Sequence, residues 1–145
     1  MYLDSAIIVK LLVRESDSEW FNRELAGRAF ETSELALAEV RSALLAKERA
    51  SHVSSHERKN AEDKFLAMIA NETIKLFPLN RMVLERAGAM QLACHPRIPL
   101  RTLDALHVAT CDLYKCEILS TTDACMRAAC VQFAIALIPP IMTAT

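Results

Sequence analysis

Glycine is scarce in this 145-residue chain, where only Gly27 and Gly88 occur. A phosphate-cradling P-loop and a GxGxxG turn both need glycines in fixed groups, so nucleotide binding of those two kinds is excluded. Ordered cysteine pairing is also missing. Cys94, Cys111, Cys116, Cys125 and Cys130 are odd in number, contain no Cys-x-x-Cys and fit no standard zinc spacing. They are expected to be small core residues rather than a disulfide framework. Neither sign of charge dominates, with 17 Lys and Arg against 18 Asp and Glu. That argues against a protein that coats duplex DNA by charge alone, and leaves room for an enzyme gripping a few phosphates through a metal and a local basic patch. No apolar run is long enough to cross a bilayer, and Met1 to Asp4 lacks the basic and apolar regions of a signal peptide. The expectation is a soluble cytoplasmic protein with no membrane partner.

What the chain does contain is apolar material spread along its length, 52% of residues, enough for one domain over 1–145 with a substantial core. Short strand-like stretches alternate with helical ones. Strands are expected at residues 1–3, weakly at 28–32, and at 73–77, 117–121 and 131–138. Helices are expected at 6–13, from Asp17 or Ser18 to Gly27, from a Ser33 cap to about Ala50, from Ser54 onward, over 80–94, 100–110 and 123–129. Ser54 and Glu57 have the spacing of a capping box. Strands alternating with helices argue for an α/β fold, a parallel sheet covered on both faces. The polar segment around Lys47, Arg49, Arg58 and Lys59 reads as a solvated helical hairpin.

In open parallel sheets, ligands sit beyond the carboxyl ends of the strands. Asp4 directly follows the first strand and Asp123 directly follows the fourth. Asp104 falls in the first turn of the 100–110 helix, with Thr102 as its expected cap; unpaired N–H groups and the helix dipole favour negative charge there. Glu39 has Leu35, Ala36, Ala43 and Ala46 as its helical neighbours, small or apolar side chains that would let its helix approach the sheet and aim a carboxylate into the crevice. Each acid also has a plain structural reading as a cap, a helix-start charge or a surface residue. His107, one turn after Asp104, reads as a satisfied interior histidine before it reads as a ligand. Should the four acids converge, their repulsion calls for a cation, and all-oxygen ligands select Mg²⁺ or Mn²⁺. Such an ion keeps positions open for a phosphate oxygen and a water, which is the chemistry of phosphodiester hydrolysis.

The stretches MetTyrLeuAspSerAla, GluLeuAlaLeuAlaGluValArgSerAla, LeuArgThrLeuAspAlaLeuHisValAlaThr and LeuSerThrThrAsp, taken in order, resemble the PIN-domain ribonucleases, most closely the VapC-type toxins of toxin–antitoxin pairs. The resemblance runs nearly end to end. It implies a three-layer α/β/α domain with a five-stranded parallel sheet. Asp4, Glu39, Asp104 and Asp123 would surround Mg²⁺ or Mn²⁺ as the catalytic set, with Ser5 and Thr121 as supporting hydroxyls. The implied activity is endonucleolytic cleavage of RNA, leaving a 5′-phosphate and a 3′-hydroxyl. The implied partners are an RNA substrate, a cognate antitoxin protein and a second copy of the chain in a homodimer. One departure is Lys115-Cys116-Glu117, which stands where relatives often carry a glycine before the fourth strand.

Two rivals are weighed against this. A haloacid-dehalogenase-type phosphatase needs an aspartate two residues after the first, where this chain has Ala6. A non-catalytic acidic-pocket binding module, either a degenerate PIN domain or a receiver-like one, would lack an acid or carry a lysine near the last strand. The full acid set favours the enzyme. Arg14, Arg41 and Arg101 are candidates to contact phosphates, with surface ion pairs as the simpler reading.

Overall fold

Tyr2 and Leu3 are neighbours in sequence yet feed opposite cores, because successive strand side chains point to opposite faces. The computed structural model, which describes residues 1–139, places them in β1 (Tyr2–Leu3), the middle of five parallel strands. The others are β2 (Phe30–Ser33), β3 (Ile74–Phe77), β4 (Ile118–Ser120) and β5 (Ala136–Ile138), in the order β3-β2-β1-β4-β5. On the Leu3 face, α1 (Ser5–Leu12), α2 (Ser18–Leu25), α3 (Leu35–Arg49) and α4 (Ser55–Ala70) bury Ile7, Phe21, Val40, Leu44 and Phe65. On the Tyr2 face, α5 (Arg81–Cys94), α6 (Thr102–Leu113) and α7 (Ala124–Gln132) bury Val83, Met90, Val108 and Met126. Helices on both faces of a parallel sheet make the three-layer α/β/α arrangement, as expected. Residues 140–145 of the expected 1–145 domain lie outside the described residues. No described helix is long and apolar enough to cross a membrane.

Local chemistry sets the helix ends. In the capping box at α4, the Glu57 carboxylate accepts from the Ser54 N–H at 2.7 Å, and Ser54 Oγ accepts from the Glu57 N–H at 3.2 Å. Two expected caps differ. Thr102 is the first residue of α6 rather than its cap; the cap position is Arg101, and no side chain bonds there. Ser33 is the last residue of β2, although its hydroxyl does accept from the Leu35 N–H at 3.2 Å. Asp17 holds the cap position of α2 without a side-chain bond. The polar hairpin carries ion pairs from Arg58 to Glu48 at 2.5 Å and to Glu62 at 3.1 Å, part-buried rather than fully solvated as expected.

The last strand is shorter than the sequence pattern indicates. Val131 and Gln132 complete α7, which ends in a Schellman turn. In it the Ile135 N–H donates to the Cys130 carbonyl at 2.8 Å, and Ala134 has a φ of 55°. The β-branched and aromatic residues at 131–133 favour a strand, and the helix's own hydrogen bonds override that preference. The same turn closes α6. There the Cys116 N–H donates to the Cys111 carbonyl at 3.0 Å, and Lys115 takes a left-handed φ of 56°. The expected glycine position is thus occupied by a lysine in the conformation that glycine prefers. A side chain in that region costs about 1–2 kcal/mol, and glycine's greater unfolded-state freedom offsets about 0.5–1 kcal/mol of the relief. Lys115→Gly is therefore expected to raise stability by up to about 1 kcal/mol. Denaturant unfolding checks this; a loss of comparable size would mean that Lys115 does not hold the left-handed turn.

Candidate active site

β1 and β4 lie in register, with Tyr2 opposite Leu119 and Leu3 opposite Ser120, so the residues that follow, Asp4 and Thr121, emerge side by side. The Asp4 N–H continues the ladder, donating to the Ser120 carbonyl at 3.2 Å. From β1 the chain runs outward through β2 to β3, then returns to β4 on the other side of β1. The reversal point of the sheet is therefore the β1–β4 gap, where the ends of diverging connections leave a crevice.

Asp4 is the most buried of the four acids, 4% exposed, and ends β1 while capping α1. Its Oδ1 accepts from the Ile7 N–H at 2.8 Å. Burial pushes its pKa above the usual carboxylate range, and the Glu39 charge adds to the rise. The Thr121 hydroxyl, the Ile7 N–H and His107 oppose it without cancelling it. Among the described residues no lysine or arginine pairs with Asp4. Asp123 caps α7 in the same manner, its Oδ1 accepting from the Met126 N–H at 2.8 Å. Its own N–H donates to Thr121 Oγ1 at 3.1 Å, so Thr121 sits between the two acids.

Asp104 is the third residue of α6, and its Oδ2 accepts from Arg101 Nε at 3.1 Å. The hydrogen bond and charge of Asp104, then the charge of Asp123, hold the Arg101 guanidinium above its ordinary pKa. Glu39 reaches over from α3. Its Oε2 accepts from Ser5 Oγ at 2.5 Å and faces His107 Nε2 at 2.5 Å. Burial pushes the Glu39 pKa up, and His107 together with the Ser5 hydroxyl outweighs it, so the net shift is downward. Of the four neighbours that the spacing singled out, Ala36 is buried, Leu35 and Ala43 are partly buried and Ala46 is exposed, so only part of that face packs toward the sheet.

Glu39, Arg101, Thr102, Leu103 and Asp104 line a cleft of about 450 Å³. Asp4 and Asp123 are not among its lining residues. Among the described residues, no three His, Cys, Asp or Glu side chains are drawn into one ligand cluster. Each acid is engaged elsewhere: Asp4 and Asp123 with helix N–H groups, Asp104 with Arg101, Glu39 with Ser5 and His107. The donor set nevertheless fits a hard divalent cation. It is all oxygen, and it includes a buried carboxylate, Asp4, with no lysine or arginine paired to it among the described residues.

Of the three arginines singled out by sequence, Arg14 pairs with Glu19 at 2.9 Å and Arg41 with Glu62 at 2.5 Å. Arg101 alone lines the cleft, with its side chain 78% exposed. Sequence reasoning missed the His107–Glu39 bond and the Tyr2 hydroxyl behind it. The only available signal was that His107 falls on the buried face of α6, one turn from Asp104.

A family model described as the PIN domain matches residues 1–131. The chain is 36% identical over 143 residues to ribonuclease VapC46 of Mycobacterium tuberculosis, covering 97% of each chain. In fold it is similar to the crystal structure of Mycobacterium tuberculosis VapC20, a sarcin–ricin loop cleaving toxin, at 16% identity with a TM-score of 0.69 over 88% of this chain and 93% of that one. It is also similar to a chain of a toxin–antitoxin complex from Klebsiella pneumoniae, at 17% identity with a TM-score of 0.56 over 84% and 85%.

The unpaired buried charge of Asp4 makes a prediction about stability. A carboxyl whose folded pKa is raised contributes stability below its unfolded value, near 3.8, and that contribution is lost as pH rises through the folded pKa. At neutral pH in chelator, Asp4→Asn should raise the melting temperature, since the amide oxygen still accepts from Ile7. Added Mn²⁺ should stabilise the wild type and leave the variant unchanged. Destabilisation of the metal-free variant would show that the Asp4 charge is already compensated.

Proposed function

The chain belongs to the PIN-domain family, and from that premise we propose that it is a divalent-metal-dependent endoribonuclease, the toxin of a toxin–antitoxin pair. The observation that carries this reading is Asp4 at the reversal point of the parallel sheet, with its neighbour Ser5 bonded to Glu39, which lines the same cleft as Asp104. The relative VapC46, a ribonuclease by name, aligns over nearly the whole chain and supports RNA as the substrate.

In this reading the four carboxylates hold Mg²⁺ or Mn²⁺, with Ser5 and Thr121 fixing the orientation of Glu39 and of the Asp4–Asp123 pair. The bound cation supplies polarisation of a phosphate oxygen and a lowered pKa for water. The chain's own residues do the rest. Asp4 and Asp123 are held rigid because each accepts an N–H from the turn it caps. Glu39 is held by Oε2, which leaves its other oxygen unpartnered among the described residues. Arg101 stands exposed on the cleft wall, where its guanidinium can exchange Asp104 for a phosphate oxygen. The fold is used as one nuclease domain.

A cognate antitoxin and a second copy of this chain are the proposed protein partners. The similarity to a chain of a toxin–antitoxin complex supports the first. Exposed Leu37, Leu84, Leu92 and Leu103 provide apolar surface for either.

Asp104→Asn removes a ligand charge and little volume. Incubated with a pool of single-stranded and structured RNA, the wild type should cut with Mn²⁺ or Mg²⁺ and stop cutting in chelator. The variant should lose more than about 100-fold in rate, beyond the range typical of residues that only support a ligand, with its circular dichroism unchanged. Cleavage that persists in the variant or in chelator overturns the assignment. Neither cleavage nor metal binding favours the acidic-pocket binding module instead.

A further inference from the structure

Four side chains from four separate elements form a continuous chain of contacts that runs from the core to the cleft. The Tyr2 hydroxyl of β1 lies 2.7 Å from His107 Nδ1, and His107 Nε2 of α6 lies 2.5 Å from Glu39 Oε2 of α3. Ser5 Oγ of α1 donates to the same Glu39 oxygen at 2.5 Å and lies 3.4 Å from His107 Nε2. Tyr2 is fully buried, and His107 and Ser5 are 3% and 8% exposed. The Tyr2 and His107 rings meet edge to face, with centroids 5.8 Å apart, which fixes the imidazole plane.

The proton positions follow from the donors and acceptors. An ionised carboxylate only accepts, so the proton facing Glu39 sits on Nε2. A neutral imidazole then leaves Nδ1 as an acceptor, and the Tyr2 O–H is the group placed to donate to it. Tyr2 thus selects the tautomer that serves Glu39. The Ser5 and His107 bonds converge on one carboxylate oxygen, while Glu39 itself lines the cleft.

We infer that His107, backed by Tyr2, is a positioning residue that clamps Glu39 by one oxygen and presents the other to a divalent cation. The inference rests on the reading of Glu39 as a metal ligand. The logic is that of a histidine–carboxylate pair with the roles reversed: here the carboxylate meets the metal and the imidazole orients it. The clamp also spans the fold. α3 and α6 pack on opposite faces of the sheet, and the Glu39–His107 bond joins them across the end of β1, which gives the carboxylate little freedom to turn away.

The test measures Mn²⁺ affinity of the full chain by calorimetry, beside melting temperature in chelator, for single and double variants. His107→Leu is expected to weaken Mn²⁺ binding by about 10- to 100-fold. His107→Gln should recover most of that loss, because its amide N–H can reach the Nε2 position. In a Glu39→Gln background, His107→Leu should cause no further weakening, since the imidazole acts only through that carboxylate. Should His107→Leu fail to fold, Tyr2→Phe releases the tautomer while keeping the ring, and should weaken Mn²⁺ binding by a smaller factor. Affinity within twofold of wild type in His107→Leu, or in Tyr2→Phe if that variant stands in for it, overturns the inference even if the melting temperature falls. An equal loss with and without Glu39 also overturns it. If Glu39→Gln alone leaves affinity unchanged, the assignment of Glu39 as a ligand fails, a result distinct from the other two.

Discussion

A carboxylate has been placed where water barely reaches it. Asp4 must end β1, cap α1 and sit level with Thr121 because β1 and β4 are in register, and these backbone demands bury it. Two of its attractions are fixed dipoles, the Ile7 N–H and the Thr121 hydroxyl, and they leave its pKa raised above the ordinary value, with burial the largest cause. The parallel sheet, the reversal of strand order beside β1 and the two helix starts that flank the crevice all bear on this one charge. A fold that only needed a helix cap would be served equally by asparagine or serine, without the cost of an unpaired ion.

Two of the other acids have counter-groups of different kinds. Asp104 has Arg101, exposed and free to move; Glu39 has His107, buried and clamped from behind by Tyr2. The difference in burial separates two tasks. A mobile guanidinium on the cleft wall can give up its acid when a stronger cation or a phosphate arrives. A buried imidazole held on both ring nitrogens cannot leave, so it defines a direction instead.

Much of this was legible in the sequence because the signals are local. Asp4 and Asp123 each follow a strand and open a helix, and both roles can be read within five residues of chain. The alternation of elements gave the layered fold, whereas the alanines around Glu39 were a weaker guide, since Ala46 is exposed. What could not be read depends on contacts between distant residues. The Tyr2–His107 and Glu39–His107 bonds join residues 105 and 68 positions apart, and no periodicity encodes which buried histidine meets which acid. The error at the last strand has the opposite origin. Val131 and Phe133 carry strand propensity, but the hydrogen bonds closing α7 belong to a helix already begun at Ala124. Thr102 looked like a cap because threonine commonly is one, whereas it is the first residue of α6 and the cap position falls to Arg101.

The most direct test of the central claim, that these acids share one divalent cation, is a crystal structure of the protein soaked in Mn²⁺ and recorded at the manganese absorption edge. The account predicts a single anomalous peak in the crevice beyond β1 and β4, in direct contact with oxygens of at least two of the four acids, with Arg101 turned away from Asp104. No peak there at saturating Mn²⁺, or a peak elsewhere with Arg101 still on Asp104, would contradict it.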